Sequence, residues 1–438
     1  NYYGKGMERF NIKVNVFKTG DYKSAVEPFT SEGMSRFARE ASADYLGDLW
    51  GEYLSGIASE RGITKKQLEN YAADYAVFLA RSSGSSSDAA KGAHLIDESA
   101  VYDDAQKLAG EGLTISLEKY YKLVKNREIP GEKRIAVVTA SGNITGGNLP
   151  RGMIGSDTYT SIFDRIREDD KISAVVLRID SGGGGAGASE EIRRALQKVR
   201  ESGKPVVVSM SSVAASGAYW ISTASDAILC MPSTLTGSIG VFAVLPDFSE
   251  FLERYPGVTT DGYGTTPYSH LYRADMSMTD DMKKVLQLSV ERDYSYFLSL
   301  VSASRGITVS EAKKAAAGRV WSGKDAEIKK LVDGMGSLED AISLAAQKCG
   351  CEGKDYSVKY YEPEDDWRVS LMKEFSYLSE SSNGGKRDES SLYDSLLKAA
   401  AKILSMFPGP LEYENNMRED FYRGGIQALY TGDEYIVM

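Results

Sequence analysis

The chain has 438 residues, of which 42% are hydrophobic, so it is long enough for two or three domains with their own cores. Its formal net charge of -10, without a long Lys/Arg cluster, argues against nucleic-acid binding. The chain has three cysteines, Cys230, Cys349 and Cys351, which are too few for a disulfide framework or a zinc site. No apolar run is long enough to span a membrane, and no cofactor is predicted.

An internal repeat relates the first part of the chain to a later part. "YLSGIASERGIT" (53–64) aligns with "FLSLVSASRGIT" (297–308), and "LIDESAVYDDA" (95–105) aligns with "LVDGMGSLEDA" (331–341). Far fewer residues precede the aligned segment of the first copy than precede the aligned segment of the second copy. The chain also begins without Met or a signal peptide. We therefore expect a complete second copy and a first copy truncated at its N-terminus.

The second copy alternates between strand-like and helix-like segments. Continuous β-branched apolar runs predict buried strands at 133–142, 172–180, 205–210 and 227–231. Apolar residues at helical spacing predict helices at 156–170, 188–203, 214–225 and 337–348, with further long helices after Met276. Short connections between alternating strands and helices indicate the α/β class, with a parallel sheet layered with helices.

The end of the chain has a different composition. Residues 379–391 are typical of a linker, and residues 391–407 of an amphipathic helix that docks on the same protein or, alternatively, on a membrane surface or partner. Three parts are therefore predicted. They are the C-terminal part of the first repeat (1–130), the complete second repeat (131–360) and a C-terminal extension (361–438).

Small residues surround Ser216 in "VSMSSVAASGAYWISTASD" (207–225), between a predicted strand and a predicted helix. Such a serine either attacks a substrate or only packs tightly. The N–H of Gly217 is suited to an oxyanion, and the Gly-rich loop in "IDSGGGGAGASEE" (179–191) offers a second donor. That loop also suits phosphate binding or plain close packing, although it lacks the Lys-Ser/Thr of a P-loop.

A histidine base for Ser216 is poorly supported. The chain has only His94, in a helical stretch, and His270, in a loop. The surroundings of Ser216 also differ from the G-x-S-x-G elbow of α/β-hydrolases, because Ala214 replaces the first glycine. An acyl-CoA enzyme that uses the Gly loop as an oxyanion hole is a further alternative, but no acidic pair is placed for proton abstraction.

Three long segments carry a family resemblance. "VVLRIDSGGGG" with the following "GKPVVVSMSSVAASGAYWISTASDAILCMPSTLTGSIGVF" resembles the signature region of signal peptide peptidase A (protease IV), in its long two-repeat bacterial form. "VFKTGDYKSAVEPF" (16–29) and "GRVWSGKDAEIKKLVDGMG" (318–336) are similar to that family's lysine segment and late second-repeat segment. The resemblance covers roughly the length of the two repeats.

The resemblance implies a fold and a function. The expected fold is crotonase-like and Clp-protease-like, with layered parallel sheets and helices. The expected protein is a serine endopeptidase with a Ser/Lys dyad that cleaves signal peptides and other unfolded apolar peptides. A homotetramer in the bacterial cell envelope is also implied, with its catalytic part outside the cytoplasm and its membrane tether in the missing N-terminal part.

By motif position, the resemblance makes Ser216 the nucleophile, Lys23 the general base and Ser238 the serine that holds the lysine amine. The repeat agrees, because its alignment pairs Lys23 with Pro267, which cannot act as a base. The active site is therefore expected where the two copies meet. Gly184 and Gly217 are expected to donate to the oxyanion, with Gly183 shaping the turn.

Two features bear on whether such a site would work. Lys23 must be neutral at pH 7, which requires burial among apolar groups to depress its pKa. The Gly loop has Asp180 and Gly182 where the family usually has Asn and Pro. Glycine makes the loop more flexible, and the Asp180 charge would keep Lys23 protonated if the two came close. A catalytically impaired scaffold of the same fold is therefore the alternative function.

Overall fold

The computed structural model describes residues 1–108, 115–125, 133–351 and 356–363. The linker and amphipathic helix predicted after residue 378 lie outside the described residues, as does the junction between the two repeats. Within the described part, no helix is both long and apolar enough to cross a bilayer.

Helices and strands alternate through the second copy, whereas the first copy is mostly helical. The helices are α1 (Gly4–Arg9), α2 (Glu27–Thr30), α3 (Arg36–Arg61), α4 (Lys65–Ala73), α5 (Tyr75–Arg81), α6 (Ser86–Gly92), α7 (Tyr102–Leu108), α8 (Leu117–Lys125), α9 (Ser156–Glu168), α10 (Ala186–Glu201), α11 (Gly217–Ser222), α12 (Ser249–Arg254), α13 (Asp280–Arg305), α14 (Val309–Ala315), α15 (Gly323–Ile328) and α16 (Leu338–Lys348). The strands are β1 (Lys13–Lys18), β2 (Lys133–Ser141), β3 (Ile144–Thr145), β4 (Ile154–Gly155), β5 (Ile172–Ser181), β6 (Val206–Ala215), β7 (Ala227–Cys230), β8 (Leu235–Gly237), β9 (Phe242–Asp247), β10 (Val320–Ser322), β11 (Gly334–Met335) and β12 (Tyr356–Tyr361).

An eight-stranded sheet forms the centre of the second copy. Its strand order is β10-β8-β6-β5-β2-β12, and β7 joins β6 to β11 beside this path. All pairs are parallel except β10 with β8. The predicted α/β class with a parallel sheet is therefore confirmed.

Both faces of this sheet are covered, because neighbouring residues along a strand point to opposite sides. Ala136 and Val138 of β2 belong to the core formed with α9, α10 and α11, whereas Ile135 and Val137 belong to a second core under α16. All four side chains are fully buried. The apolar run of β2 is therefore continuous because each of its faces has its own helical layer.

The long helices of the two copies have the same length and the same ends. Helices α3 and α13 each have 26 residues, start after a serine or threonine cap (Ser35 or Thr279) and end at a left-handed glycine (Gly62 or Gly306). The side chain of each cap accepts a hydrogen bond from a first-turn N–H. The sequence repeat thus encodes the same local structure twice.

An ion pair also recurs at equivalent positions. The Arg61 guanidinium donates to both carboxylate oxygens of Asp97 at 2.8–2.9 Å, and Arg305 donates to both oxygens of Asp333 at 2.8 Å. Each bidentate pair connects the end of a long helix to a segment some thirty residues further along the chain.

A separate two-stranded sheet, with one strand from each copy, joins the first copy to the second. Strand β1 pairs antiparallel with β9 from Lys13 opposite Asp247 to Lys18 opposite Phe242. Phe17 of β1 is buried with Leu245 of β9 and Leu286 of α13. This pairing carries the chain that follows β1 to the end of the central sheet where β6 stops.

Candidate active site

Ser216 occupies a sharp turn between β6 and α11. Its backbone has φ 53° and ψ -117°, a conformation that is strained for a residue with a Cβ atom. The Ser216 N–H donates to the carbonyl of Gly237 at 2.9 Å, and the Ser216 carbonyl accepts from the Trp220 N–H at 2.9 Å. Neighbouring strand and helix together hold the serine in this turn. The helix predicted over 214–225 was wrong at its start, because β6 continues to Ala215 and α11 begins only at Gly217.

The Lys23 side chain extends from the first copy to Ser216. Its Nζ lies 3.0 Å from Ser216 Oγ, 3.0 Å from Ser238 Oγ and 3.1 Å from the Ser238 carbonyl oxygen. Only 4% of Lys23 is exposed. Its backbone fits closely against Gly318, where an added Cβ would lie 2.7 Å from the Cβ of Lys23.

Burial changes the acidity of this amine. Desolvation lowers the pKa of Lys23 from 10.5 to about 7. The Phe242 ring, with its centroid 5.7 Å from Nζ, contributes to the apolar surroundings. Asp180 does not counteract the shift, because its carboxylate accepts the N–H of Val213 at 3.0 Å and makes no hydrogen bond to Lys23. The close approach of Asp180 that would hold Lys23 protonated is therefore not observed.

Ser238 is fixed from the other side. It too has a positive φ, 49°, and its N–H donates to the carbonyl of Arg319 at 2.7 Å. Its preceding residue, Gly237, has φ 78°, and a Cβ there would lie 2.8 Å from the Trp321 ring. The hydroxyl and the carbonyl of Ser238 are thereby both directed at the Lys23 amine.

The Gly loop lies against the turn of Ser216. Gly183 has φ 114°, and a Cβ on it would lie 2.7 Å from Ser216 Cβ. Gly184 forms a parallel bridge with Ile144, and a Cβ on it would lie 1.9 Å from the Ile144 carbonyl oxygen. Side chains at these two positions would therefore push the loop away from the serine.

The N–H groups of Gly184 and Gly217 lie close to each other. An ideal Cβ on Gly217 would be 3.1 Å from the Gly184 nitrogen and 2.4 Å from Ser189 Oγ. Among the described residues, neither N–H donates a backbone hydrogen bond. The two donors are thus available beside Ser216.

A groove of about 860 Å³ opens over these residues. It is lined by Lys23, Ser216, Ser238 and the Gly loop. Part of the wall beyond them is formed by apolar and aromatic side chains from β9, α11 and α13 and the residue before β9, namely Val241, Phe242, Trp220, Leu286, Val290, Tyr296 and Phe297. Charged side chains form another part of it, namely Glu190, Glu191, Arg194, Arg292 and Asp293. The apolar part of this wall suits the apolar side chains of an extended ligand.

All six predicted site residues thus come together, although Lys23 is 193 residues from Ser216 along the chain. The other residues considered from the sequence lie elsewhere. His94 and His270 do not line the groove, and His94 has a left-handed backbone with φ 60°. The Cys349 and Cys351 sulfur atoms are 2.8 Å apart, and no cluster of three or more metal-ligating side chains occurs among the described residues.

Sequence reasoning missed the residues that support the site from behind. Ile144 anchors Gly184, and Ser189 fills the space beside Gly217. Glu190 lies in the Gly-rich segment 179–191, and its only sequence signal is its position on the helix that follows the Gly loop.

A comparison with family models identifies the chain's family. The model described as Peptidase family S49 matches residues 1–116 and 198–352, which include Lys23, Ser216 and Ser238. The chain belongs to peptidase family S49. The family predicted from the signature segments is thereby confirmed.

Related S49 proteins are found in bacteria and in a plant. Protease 4 of Salmonella typhi is 38% identical over 83% of this chain and 59% of its own length. Protease 4 of Haemophilus influenzae is 32% identical over 88% of this chain and 64% of its own length. The chloroplastic serine protease SPPA of Arabidopsis thaliana is 29% identical over 79% of this chain and 52% of its length. The chain thus spans about half to two thirds of these relatives.

Solved structures show weaker similarity. The 1510-N membrane-bound stomatin-specific protease is 17% identical to this chain, with a TM-score of 0.33. The match covers 54% of this chain and 100% of the chain of that protease. ClpP1 from Listeria monocytogenes has 12% identity and a TM-score of 0.32, with coverage of 51% and 99%. Because these TM-scores are low, the fold assignment rests on the sheet topology of the present chain.

Proposed function

We propose that this chain is a serine peptidase that hydrolyses peptide bonds with a Ser/Lys dyad. The observation that carries the proposal is the buried Lys23 amine, 3.0 Å from Ser216 Oγ, in surroundings that lower its pKa to about 7. A lysine with this pKa is neutral in a large fraction of molecules at neutral pH, so it can act as a general base.

The hydrogen bonds around the amine fit this role. A neutral amine has two N–H groups and one lone pair. The N–H groups can donate to the hydroxyl and the carbonyl of Ser238, which leaves the lone pair for the Ser216 hydroxyl. Ser238 would thus orient the base. Removal of its hydroxyl would leave the Ser238 carbonyl as the remaining acceptor for the Lys23 amine.

The reaction would proceed in two stages. Lys23 takes the hydroxyl proton as Ser216 Oγ attacks the peptide carbonyl, and the resulting ammonium gives that proton to the leaving amine. A water molecule, deprotonated by Lys23, then attacks the acyl-enzyme, and the Lys23 ammonium returns that proton to Ser216 Oγ as the acid product leaves. In both stages the Gly184 and Gly217 N–H groups would stabilise the negative oxygen, and Gly183 would allow the loop to approach.

A fluorophosphonate probe tests the proposed nucleophile. The wild-type protein should be labelled, and Ser216→Ala should not. Ser212→Ala, an exposed serine on the same strand, is the matched control and should label normally. Lys23→Met should also lose labelling, whereas Lys18→Met on β1 should retain it. No labelling of the folded wild-type protein would favour the impaired scaffold instead.

The substrates we propose are cleaved signal peptides and other unfolded apolar peptides. The apolar and aromatic side chains in the groove beside Ser216, and the extended conformation that the groove would accommodate, support this class. Cleavage rates should be highest for apolar unstructured peptides and low for polar peptides of equal length. Equal rates for both would contradict the substrate class but not the dyad.

We further propose a homotetramer in the bacterial cell envelope, attached to the membrane with its catalytic part outside the cytoplasm. The tandem organisation supports self-association, since the first copy docks on the second and the second copy has equivalent elements. Fractionation of cells that produce the full-length protein tests the location. Recovery in the cytoplasmic fraction would contradict it.

A further inference from the structure

The Glu190 carboxylate lies where three helices meet, and the proposed reaction makes no use of it. It accepts hydrogen bonds from the Trp220 indole at 2.8 Å and from the Tyr296 hydroxyl at 2.9 Å. It also accepts from Arg193 at 2.7 and 3.0 Å and from Arg194 at 2.6 Å. One side chain of α10 thus connects α10 with α11 and α13.

This carboxylate is charged at neutral pH. Burial alone would raise the pKa of Glu190, but hydrogen bonds from Arg193, Trp220 and Arg194 lower it to about 2. Its side chain is 15% exposed. Every one of its five contacts comes from a donor, so only a group with two acceptor oxygens satisfies them all.

The helices that Glu190 connects carry the two proposed oxyanion donors. Helix α10 begins just after Gly184, and α11 begins at Gly217, next to Ser216. Trp220 is one turn into α11, and its backbone N–H donates to the Ser216 carbonyl. A change in the position of Trp220 relative to α10 would therefore change the distance between the two donors.

Packing against α13 restricts this arrangement further. The Trp220 ring lies with its centroid 4.6 Å from that of Phe297 and 5.6 Å from that of Tyr296. Glu190 thus holds both the indole N–H and the Tyr296 hydroxyl on one edge of this aromatic cluster.

We propose that Glu190 is a positioning residue, which holds α10 and α11 so that the Gly184 and Gly217 N–H groups converge on the oxyanion. The proposal rests on the proposed peptidase function. Glu190 lines the groove but makes no hydrogen bond to Lys23, Ser216 or Ser238, so it acts through Trp220 and the helix ends. Its loss should weaken binding of the transition state more than binding of the substrate.

The test compares Glu190→Gln with Glu201→Gln, an exposed position near the end of the same helix. Hydrolysis of an apolar peptide gives kcat and KM, and a peptide boronate that forms a tetrahedral adduct with Ser216 gives the affinity for a transition-state analogue. In Glu190→Gln, kcat and boronate affinity should both fall by about tenfold or more, with KM within about twofold of wild type. Glu201→Gln should match the wild type.

A milder variant covers the case in which Glu190→Gln is poorly folded. Trp220→Phe keeps the ring but removes the indole donor, and should lower kcat several-fold with an unchanged melting temperature. The double variant should be no worse than Glu190→Gln alone, because both changes break the same link.

The outcomes separate this proposal from the peptidase function. Wild-type kcat and boronate affinity in either variant would overturn the positioning role while leaving the peptidase intact. Activity losses that only follow the folded fraction would also overturn it. A folded wild-type protein without peptidase activity contradicts the function itself, and the role of Glu190 with it.

Discussion

Lys23 sets the pH dependence that we expect of this protein. The amine must be neutral to accept the Ser216 proton, and its pKa is lowered to about 7 by burial. The rate kcat/KM should therefore fall about tenfold per pH unit below about pH 7 and level off above it. A pH–rate profile on an uncharged peptide measures this limb. A limb near pH 10 would mean that the amine is not desolvated in solution.

The same pKa makes Lys23 costly for stability. Between about pH 7 and 10.5 the unfolded chain binds a proton at Lys23 that the folded protein does not. Wild-type stability should therefore rise with pH in this window. Lys23→Met should stabilise the protein by roughly 2 kcal/mol or more at pH 7, with the gain shrinking towards pH 10.5. Urea unfolding at both pH values measures the difference, and an equal gain at each would contradict the assignment.

Two neighbouring glycines should differ sharply in their tolerance of a methyl group. Gly183 has φ 114°, and its added Cβ would lie 2.7 Å from Ser216 Cβ, whereas an added Cβ on Gly182 meets nothing within 4 Å. Gly183→Ala should lower kcat by about 100-fold, as expected when an oxyanion donor is displaced. Gly182→Ala serves as the control and should keep kcat within about threefold. Similar kinetics for both would show that the loop adjusts freely.

The roles of these residues were predictable from sequence to different extents. Ser216, Lys23 and Ser238 lie in long signature segments, so their proximity followed from the resemblance and the repeat. The contacts of Asp180 and Glu190 could not be predicted in this way, because each depends on a partner from another strand or helix. Neither Val213 nor Trp220 has a spacing that indicates such a pair.

At the level of elements, the helices and strands of the second copy were mostly predictable. Strands β2, β5 and β7 and helices α9, α10 and α16 appear within a few residues of their predicted ends, whereas β6 continues to Ala215, beyond its predicted end at residue 210. The turn at Ser216 was not predictable, because the small residues that precede it are compatible with either a helix or a strand. Pairing of Ala215 with Gly237 in β8 keeps them extended.

Helix α3 docks on the second copy through an acidic face. Its carboxylates recur every four residues and contact Arg319, Ser322 and Lys324. They belong to Glu40, Asp44, Asp48 and Glu52. Arg319 is the central partner, since its guanidinium lies between the rings of Tyr22 and Trp321 at 4.7 and 4.4 Å.

Arg319 should therefore matter for both stability and activity. Arg319→Met removes the ion pairs with Glu40 and Asp44, leaves Glu40 with the Tyr22 hydroxyl, and loosens the segment whose carbonyl holds Ser238. We expect a loss of about 2 kcal/mol in unfolding free energy, together with a lower kcat. Lys324→Met, which breaks a more exposed pair with Glu52, should cost less than about 1 kcal/mol. Equal losses for the two variants would contradict a central role for Arg319.

At the scale of the whole molecule, equivalent surfaces of the two copies are covered differently. In the first copy, β1 pairs with β9, but residues 257–262, the repeat equivalent of β1, form no strand. Asp44 of α3 contacts Arg319, but its repeat equivalent on α13, Leu288, is 56% exposed. The second copy thus retains uncovered positions at which the first copy makes its contacts.

If the contact between copies also recurs between chains, Leu288 lies in the interface of the proposed tetramer. Leu288→Glu should then shift the protein to smaller species in sedimentation velocity, because a buried charge without a partner opposes association. The control is Val309→Glu, another exposed apolar position, whose first-copy equivalent is the exposed Lys65. It should leave the sedimentation coefficient unchanged. Since Lys23 and Ser216 belong to one chain, the dissociated Leu288→Glu protein should still react with fluorophosphonate. Loss of labelling on dissociation would mean that the site depends on assembly.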